Sequence, residues 1–103
     1  MNDSHVLEVA LFTVKPEQVA QMPTLRKQLR ETLKDFPGLI SFEAYAPLGE
    51  NTFADIAKWQ SHEHAQAAAQ AFANGDPRFL PYMQAIESLS FMGHFVPGDA
   101  PVA

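Results

Sequence analysis

The sequence has no cysteine and few basic residues. Without cysteine, the 103-residue chain has no thiolate nucleophile, thiolate metal site or disulfide, which fits a reducing compartment. Its 12 acidic and 7 scattered basic residues give a net charge of -5, so a nucleic-acid partner is not expected. The N-terminus lacks a basic region and Glu8 interrupts its apolar run, which argues against a signal peptide or a membrane span. We therefore expect a cytoplasmic protein with neither a nucleic-acid nor a membrane partner.

The length indicates a single domain. A chain of 103 residues can bury about two thirds of the surface that its unfolded form exposes, so it can fold without a metal or a disulfide. We expect one domain over residues 1–103, with its core in residues 5–96 and a loose tail at 97–103, where the sequence has no hydrophobic pattern.

Hydrophobic periodicity predicts four strands and two main helices. The predicted strands cover residues 5–14, 39–46, 53–59 and 87–96. The first helix covers 17–36, and the phase of its apolar stripe continues across Pro23, which favours a kinked helix over a helix that begins at this proline. The second helix begins after Ser61, a typical N-cap, and ends before Gly75; a short third helix follows Asp76 and Pro77.

The order β-α-β-β-α-β is typical of an α+β ferredoxin-like sandwich, with an antiparallel sheet and both main helices on one face. The first and last predicted strands are apolar on both faces. One side of the sheet would then expose an apolar patch, and a second copy of the chain is the simplest cover. The pattern therefore predicts a homodimer.

Three segments carry a resemblance to a known family: Thr13–Glu17 at the end of the first strand, Phe36–Glu43 at the second, and Lys58–Ala65 at the junction of the third strand with the second helix. In their order and spacing over residues 5–96 they resemble the antibiotic biosynthesis monooxygenases, a family of dimeric α/β barrels. The resemblance implies oxygenation of a phenolic or quinol substrate without metal, flavin or other cofactor.

The same resemblance implies roles for particular residues. The polyketide oxygenases of this family use an Asn, a Trp and a Tyr, and Trp59 matches a Trp common at the end of the third strand. No Asn lies in a predicted strand, because Asn2, Asn51 and Asn74 fall in the tail or in turns. The haem-degrading branch is less similar, since the second helix offers Ala and Gln where that branch has a Trp and a His.

The candidate site residues are polar or amphipathic side chains within otherwise apolar elements. Oxygenation requires a base near the substrate hydroxyl, an apolar enclosure and donors for a developing oxyanion. We expect the base to be one of three residues: Glu43, Asp55 or His94. The enclosure would be formed by Trp59, Phe79 and Tyr82, with Tyr45 or His64 as donor. Structural packing is the competing interpretation for Trp59 and for His94.

A metal site is not expected. His62 and His64 are two residues apart at the start of a helix, so they diverge and do not form the i, i+4 ligand pair. Glu8 and Glu43 are carboxylates in apolar strands, where each would line a pocket, face the dimer interface, or bond Lys58 or a histidine.

Three functions remain open at this point. The first is a homodimer that binds a small apolar or aromatic ligand as a cofactor-free monooxygenase. The second is a non-catalytic dimeric module, and the third is an isomerase or decarboxylase that uses the same pocket. An enzyme would keep an open cavity on which at least two of the polar groups converge, whereas a module would fill that space with side chains.

Overall fold

The structure is a computed structural model and describes residues 5–49 and 51–98. These residues form an antiparallel four-stranded sheet and three α-helices, which confirms the predicted α+β ferredoxin-like fold. The elements in chain order are β1 (Val6–Val14), a 3-10 helix (Pro16–Gln21), α1 (Met22–Leu33), β2 (Leu39–Tyr45), β3 (Thr52–Trp59), α2 (His62–Ala73), α3 (Leu80–Ala85) and β4 (Ile86–Phe95). Of the tail predicted to be loose, residues 99–103 lie outside the described residues.

The strands lie in the order β2-β3-β1-β4, with β2 and β4 at the edges. In β3 every second residue is buried, beginning at Phe53 and ending at Trp59. Because side chains alternate between the faces of a strand, this set points to one side of the sheet, where the helices pack. Glu8 lies opposite Ala57 in the β1–β3 register, so Glu8 shares this helix-covered face.

The core is the layer between this face and the helices. Its largest fully buried side chains are Trp59, Phe12 and Phe79. Ala65 and Ala68 are the buried residues of α2, and their small side chains let the helix approach the sheet closely. The buried position of Trp59 agrees with the packing interpretation of this residue.

The start of α1 corrects one prediction. The helix predicted to run through Pro23 with a kink is instead two segments, a 3-10 helix followed by α1. Pro23 lies in the first turn of α1, where its missing N–H removes no intrahelical hydrogen bond. The helix ends at Leu33 rather than at the predicted Phe36, and a turn with Gly38 at φ 91° leads into β2.

The start of α2 confirms the predicted cap. Ser61 Oγ accepts a hydrogen bond from the backbone N–H of His64, at 3.2 Å. The His64 ring then packs against Gly38, where an added Cβ would lie 2.2 Å from His64 Cγ. Only glycine fits at this contact, which holds the start of β2 against the first turn of α2.

The face of the sheet opposite the helices is apolar at its centre. Leu7, Val9 and Leu11 of β1 point there, since they alternate with the residues that face the helices. Phe91 and Phe95 of β4 lie beside them and are 41% and 46% exposed.

In the described part of the chain no helix is long and apolar enough to cross a bilayer.

Candidate functional site

A cavity of about 360 Å³ lies between the sheet and the helices. This volume is within the range of small-molecule sites in proteins. Its floor is formed by all four strands, and its walls come from α1, α2 and the segment around α3. Among the described residues that line it, only Glu8, Asp55 and Tyr82 have polar side chains. The site is therefore an apolar chamber with a few polar groups.

The first polar group is an ion pair between α1 and β3. Arg26 Nη2 donates to Asp55 Oδ1 at 2.7 Å, and both side chains are about 10% exposed. Tyr82 of α3 donates its hydroxyl to Asp55 Oδ2 at 2.5 Å, and Arg26 Nε donates to the Tyr82 oxygen at 3.3 Å. Arg26 Nη2 also reaches the backbone oxygen of Tyr45 at 3.1 Å. This triangle ties together α1, α3 and β3.

Burial shifts the pKa of two members of this triangle. Burial is the largest influence on Asp55 and raises its pKa above the ordinary value, while Tyr82 and Arg26 act in the opposite direction. The pKa of Tyr82 is raised strongly, first by burial and then by the charge of Asp55. Tyr82 therefore stays protonated and acts as a donor.

The second polar group is centred on Glu8. Trp59 Nε1–H donates to Glu8 Oε1 at 3.0 Å, and His94 Nε2 lies 3.2 Å from Glu8 Oε2. The ring of His62 packs edge-on against that of His94, with centroids 5.3 Å apart. The side chains of His94 and Glu8 are 21% and 15% exposed. This group links the cavity floor to the protein surface beside β4.

Three of the eight predicted site residues line this cavity, and two more contact Glu8, which also lines it. Asp55, Phe79 and Tyr82 line it directly. Trp59 and His94 lie behind Glu8 and reach the cavity through that carboxylate.

The other three predicted residues lie elsewhere. Glu43 and Tyr45 point to the opposite face of the sheet, where the Tyr45 hydroxyl donates to Glu43 Oε1 at 3.2 Å. His64 shares a 2.7 Å hydrogen bond with Ser61 Oγ at the start of α2, and it is not among the residues that line the cavity. The geometry therefore gives no support to Glu43 as a base or to Tyr45 and His64 as donors in this chamber.

Two site residues were not predicted. Glu8 is expected from the sequence to line a pocket, face the dimer interface, or bond Lys58 or a histidine, but it is not among the candidate site residues. Arg26 is not among them either, because with Lys27 and Arg30 it resembles the solvated face of a helix. The sequence does contain a signal that Arg26 is buried. The buried residues of α1 recur at spacings of four and three, and Arg26 is one of them: Met22, Arg26, Leu29 and Leu33. An arginine on the buried stripe of a helix requires a partner, and Asp55 is that partner.

The buried polar groups of the site have hydrogen-bond partners within the protein. Among the described residues, no buried side-chain nitrogen or oxygen lacks a hydrogen-bond partner. Nor do three or more His, Asp or Glu side chains in this part of the chain form a cluster able to hold a metal ion. The site, as folded, can position a ligand hydroxyl between carboxylates in an apolar surrounding.

A ferredoxin-like sandwich with a ligand-sized chamber between sheet and helices defines the class of this protein. The family profile of the antibiotic biosynthesis monooxygenases matches residues 5–86, and the chain belongs to that family. No curated protein sequence matches the chain.

Solved structures support the same fold. A Bordetella bronchiseptica protein provisionally assigned to the antibiotic biosynthesis monooxygenases superposes with a TM-score of 0.76 at 12% identity, over 90% of this chain and 96% of that one. SnoaB, a cofactor-independent oxygenase from Streptomyces nogalater, superposes with a TM-score of 0.65 at 22% identity, over 95% of this chain and 98% of SnoaB. The heme-degrading protein Rv3592 from Mycobacterium tuberculosis superposes with a TM-score of 0.65 at 21% identity, over 95% of this chain and 96% of Rv3592.

Proposed function

We propose that this protein is a homodimeric, cofactor-independent monooxygenase that oxidises a small phenolic or quinol-type substrate in the cavity between sheet and helices. The observation that carries the proposal is the cavity itself: about 360 Å³, apolar in its walls, with two carboxylates and a tyrosine facing the space. The family to which the chain belongs, and the likeness of its fold to a cofactor-independent oxygenase, support this choice of reaction.

The reaction balances without an external reductant. A base removes the hydroxyl proton of a phenol, which gives an electron-rich anion that reacts with O2. One oxygen atom becomes the second carbonyl of a quinone and the other leaves as water, together with the hydroxyl hydrogen and one ring hydrogen. The substrate supplies all four electrons. The protein's part is to remove the proton, orient the ring and keep bulk water away from the intermediate.

The cavity walls suit this task. Ala69 and Phe72 of α2 and Leu29 of α1 face the space, and they exclude water while leaving room for an aromatic ring. Asp55 is held in place by Arg26 and Tyr82, so its position on the floor does not depend on the ligand. Such prior ordering reduces the entropy that a ligand must lose on binding.

Filling the cavity tests the site. In Ala69→Phe the new ring enters the space that the ligand needs, and we expect affinity for phenols and hydroxylated aromatics to fall about tenfold or more, which corresponds to about 1.4 kcal/mol per tenfold. Ala67→Phe is the matched control, because Ala67 lies on the exposed side of the same helix and does not line the cavity. Binding is measured by thermal shift, and turnover by oxygen uptake against quinone formed.

The two variants separate the possible outcomes. Turnover lost in Ala69→Phe and kept in Ala67→Phe supports the proposal. Equal turnover in both variants would exclude this cavity as the site. Ligand binding with no oxygen uptake for any phenol or quinol would favour a binding module or an isomerase-like use of the pocket.

The homodimer forms, we propose, through the apolar face of the sheet. Leu11 lies on the central strand β1, beside Phe91 in the register with β4. Leu11→Asp removes apolar contact worth about 1.5–3 kcal/mol and places a carboxylate in the interface. We therefore expect the dissociation constant of the dimer to rise about a hundredfold or more. Sedimentation velocity should show the wild type at twice the chain mass and the variant as a monomer. Gln66→Asp, on the exposed side of α2, is the control and should remain a dimer. A wild-type protein that sediments as a monomer would contradict the proposed homodimer.

A further inference from the structure

The proposed reaction requires a base, and the cavity presents two carboxylates for that role, Glu8 and Asp55. They lie on neighbouring strands: Glu8 is opposite Ala57 and Asp55 is opposite Ala10, so they occupy diagonal positions on the same face. Such positions are about 7–8 Å apart in a sheet, and both carboxylates can reach one small ligand. They differ in what surrounds them.

The neighbours of Asp55 cannot accept a proton from it. One oxygen is bonded to Arg26, which stays protonated in proteins, and the other receives the hydroxyl hydrogen of Tyr82. A proton that arrived on Asp55 would weaken its bond to Arg26 and would have no acceptor to move to. The arrangement suits a fixed structural anion.

The neighbour of Glu8 can accept a proton. His94 Nε2 lies 3.2 Å from Glu8 Oε2, and an imidazole gains and loses protons near neutral pH. The His94 side chain is 21% exposed, so it can exchange protons with solvent. On the other oxygen, the indole N–H of Trp59 fixes the orientation of the carboxylate. Glu8 thus has a cavity on one side and a route to water on the other.

We propose that Glu8 is the proton acceptor for the hydroxyl of the substrate, that His94 carries the proton to solvent, and that Trp59 is a positioning residue for the Glu8 carboxylate. This inference rests on the proposed function, since it names the base of that reaction. The substrate O–H bond breaks and its proton goes to Glu8. A proton then passes from Glu8 Oε2 to Nε2 of a His94 ring protonated at Nδ1, and the imidazolium releases its Nδ1 proton to water.

Other charged groups act on this pair from the elements packed around it. His62 of α2 contacts the His94 ring edge-on. Asp55 of β3 is close enough for the charge of Glu8 to contribute to its raised pKa.

A phenol whose anion is coloured tests the assignment without turnover. We would bind 4-nitrophenol to the protein near neutral pH and measure the fraction of bound phenolate from its visible absorbance. A carboxylate that accepts a hydrogen bond from the hydroxyl favours the neutral phenol at equilibrium, because a carboxylic acid is the stronger acid and a nearby negative charge disfavours the phenolate. Wild type should therefore bind 4-nitrophenol largely as the neutral phenol. Glu8→Gln keeps an acceptor for Trp59 and a polar partner for His94, so it should fold and still bind, but with a larger fraction of bound phenolate. Glu63→Gln, at an exposed carboxylate of α2 that does not line the cavity, is the control and should match wild type.

The kinetic expectation follows from the same roles. For Glu8→Gln, kcat for oxygen uptake should fall about a hundredfold with little change in KM, the usual effect of removing a base that acts in the transition state. His94→Gln should lower kcat less than Glu8→Gln does, because His94 acts only after the proton has left the substrate. Circular dichroism confirms the fold of each variant.

The outcomes distinguish this inference from the proposed function. If Glu8→Gln binds 4-nitrophenol in the same ionisation state as wild type, the assignment of Glu8 is overturned while the cavity stands as the site. If wild type binds no phenol at all, the proposed function fails, and with it the need for a base.

Discussion

Replacing Arg26 with methionine should lower the free energy of unfolding by about 3–5 kcal/mol, the usual cost of removing one partner of a buried ion pair. Met keeps the aliphatic part of the Arg side chain and lacks the guanidinium. The main loss comes from Asp55, which is left with a buried charge and Tyr82 as its remaining side-chain donor. Urea unfolding followed by circular dichroism measures the change. Lys27→Met, on the exposed neighbouring position of α1, should stay within about 0.5 kcal/mol of wild type.

The loss at Arg26 should depend on pH in a defined direction. A carboxylic acid whose pKa is raised by folding contributes stability below its unfolded pKa, and this contribution is lost as pH rises through the folded value. Asp55 is such a group already in wild type. Removing Arg26 raises its pKa further, so the destabilisation of Arg26→Met should be largest at pH 7 and should shrink as the pH is lowered and Asp55 becomes neutral.

A double variant provides the control. Arg26→Met with Asp55→Asn removes both charges and leaves Tyr82 an amide oxygen to bond, so it should recover most of the lost stability. A destabilisation of Arg26→Met that is independent of pH, or is not reduced by Asp55→Asn, would show that packing around Arg26 matters and that its charge does not.

The sequence predicts the fold well because local pattern and overall arrangement agree. The alternation in β3, the Ser61 cap and the apolar stripe of α1 each identify one element, and their order determines the ferredoxin-like sandwich. The stripe did not locate the start of α1, because a 3-10 helix that precedes an α-helix can keep apolar residues in nearly the same phase across Pro23.

The site was harder to predict because it depends on strand register. In β2 the pairing passes from Leu39 opposite Trp59 to Ser41 opposite Lys58, which leaves Ile40 as an extra residue. A strand without this irregularity would place Glu43 on the face of Leu39, towards the helices. The irregularity turns Glu43 to the opposite face, and sequence parity alone contains no sign of it.

Arg26 was missed for a different reason. It lies next to Lys27 and close to Arg30, and such a cluster is typical of a solvated helix face. Its position four residues after Met22 and three before Leu29 places it on the buried stripe instead. Charge composition and periodicity thus gave conflicting indications, and periodicity was correct because Asp55 supplies the partner that makes burial of the arginine tolerable.

Trp59 connects stability with the site, and two substitutions separate its roles. Trp59→Ala removes a fully buried ring and should cost about 3–5 kcal/mol. Trp59→Phe keeps an aromatic ring in the core but removes the indole N–H that donates to Glu8, and the loss of a hydrogen bond to a charged group should cost about 1.5–3 kcal/mol. Since Trp59 is the single tryptophan of the chain, unfolding of both variants is followed by far-ultraviolet circular dichroism.

A mutant cycle shows whether the smaller loss arises at Glu8. If the indole acts through the carboxylate, Trp59→Phe should cost less in a Glu8→Gln background, where the group it bonds is uncharged, and the two substitutions should couple by about 0.5 kcal/mol or more. Trp59→Phe should also change the ionised fraction of bound 4-nitrophenol while leaving binding in place, since the indole N–H no longer orients the Glu8 carboxylate. If the losses in free energy of unfolding of Trp59→Phe and Glu8→Gln simply add in the double variant, and Trp59→Phe leaves the ionisation of the bound phenol unchanged, Trp59 has only a packing role at the strand–helix junction.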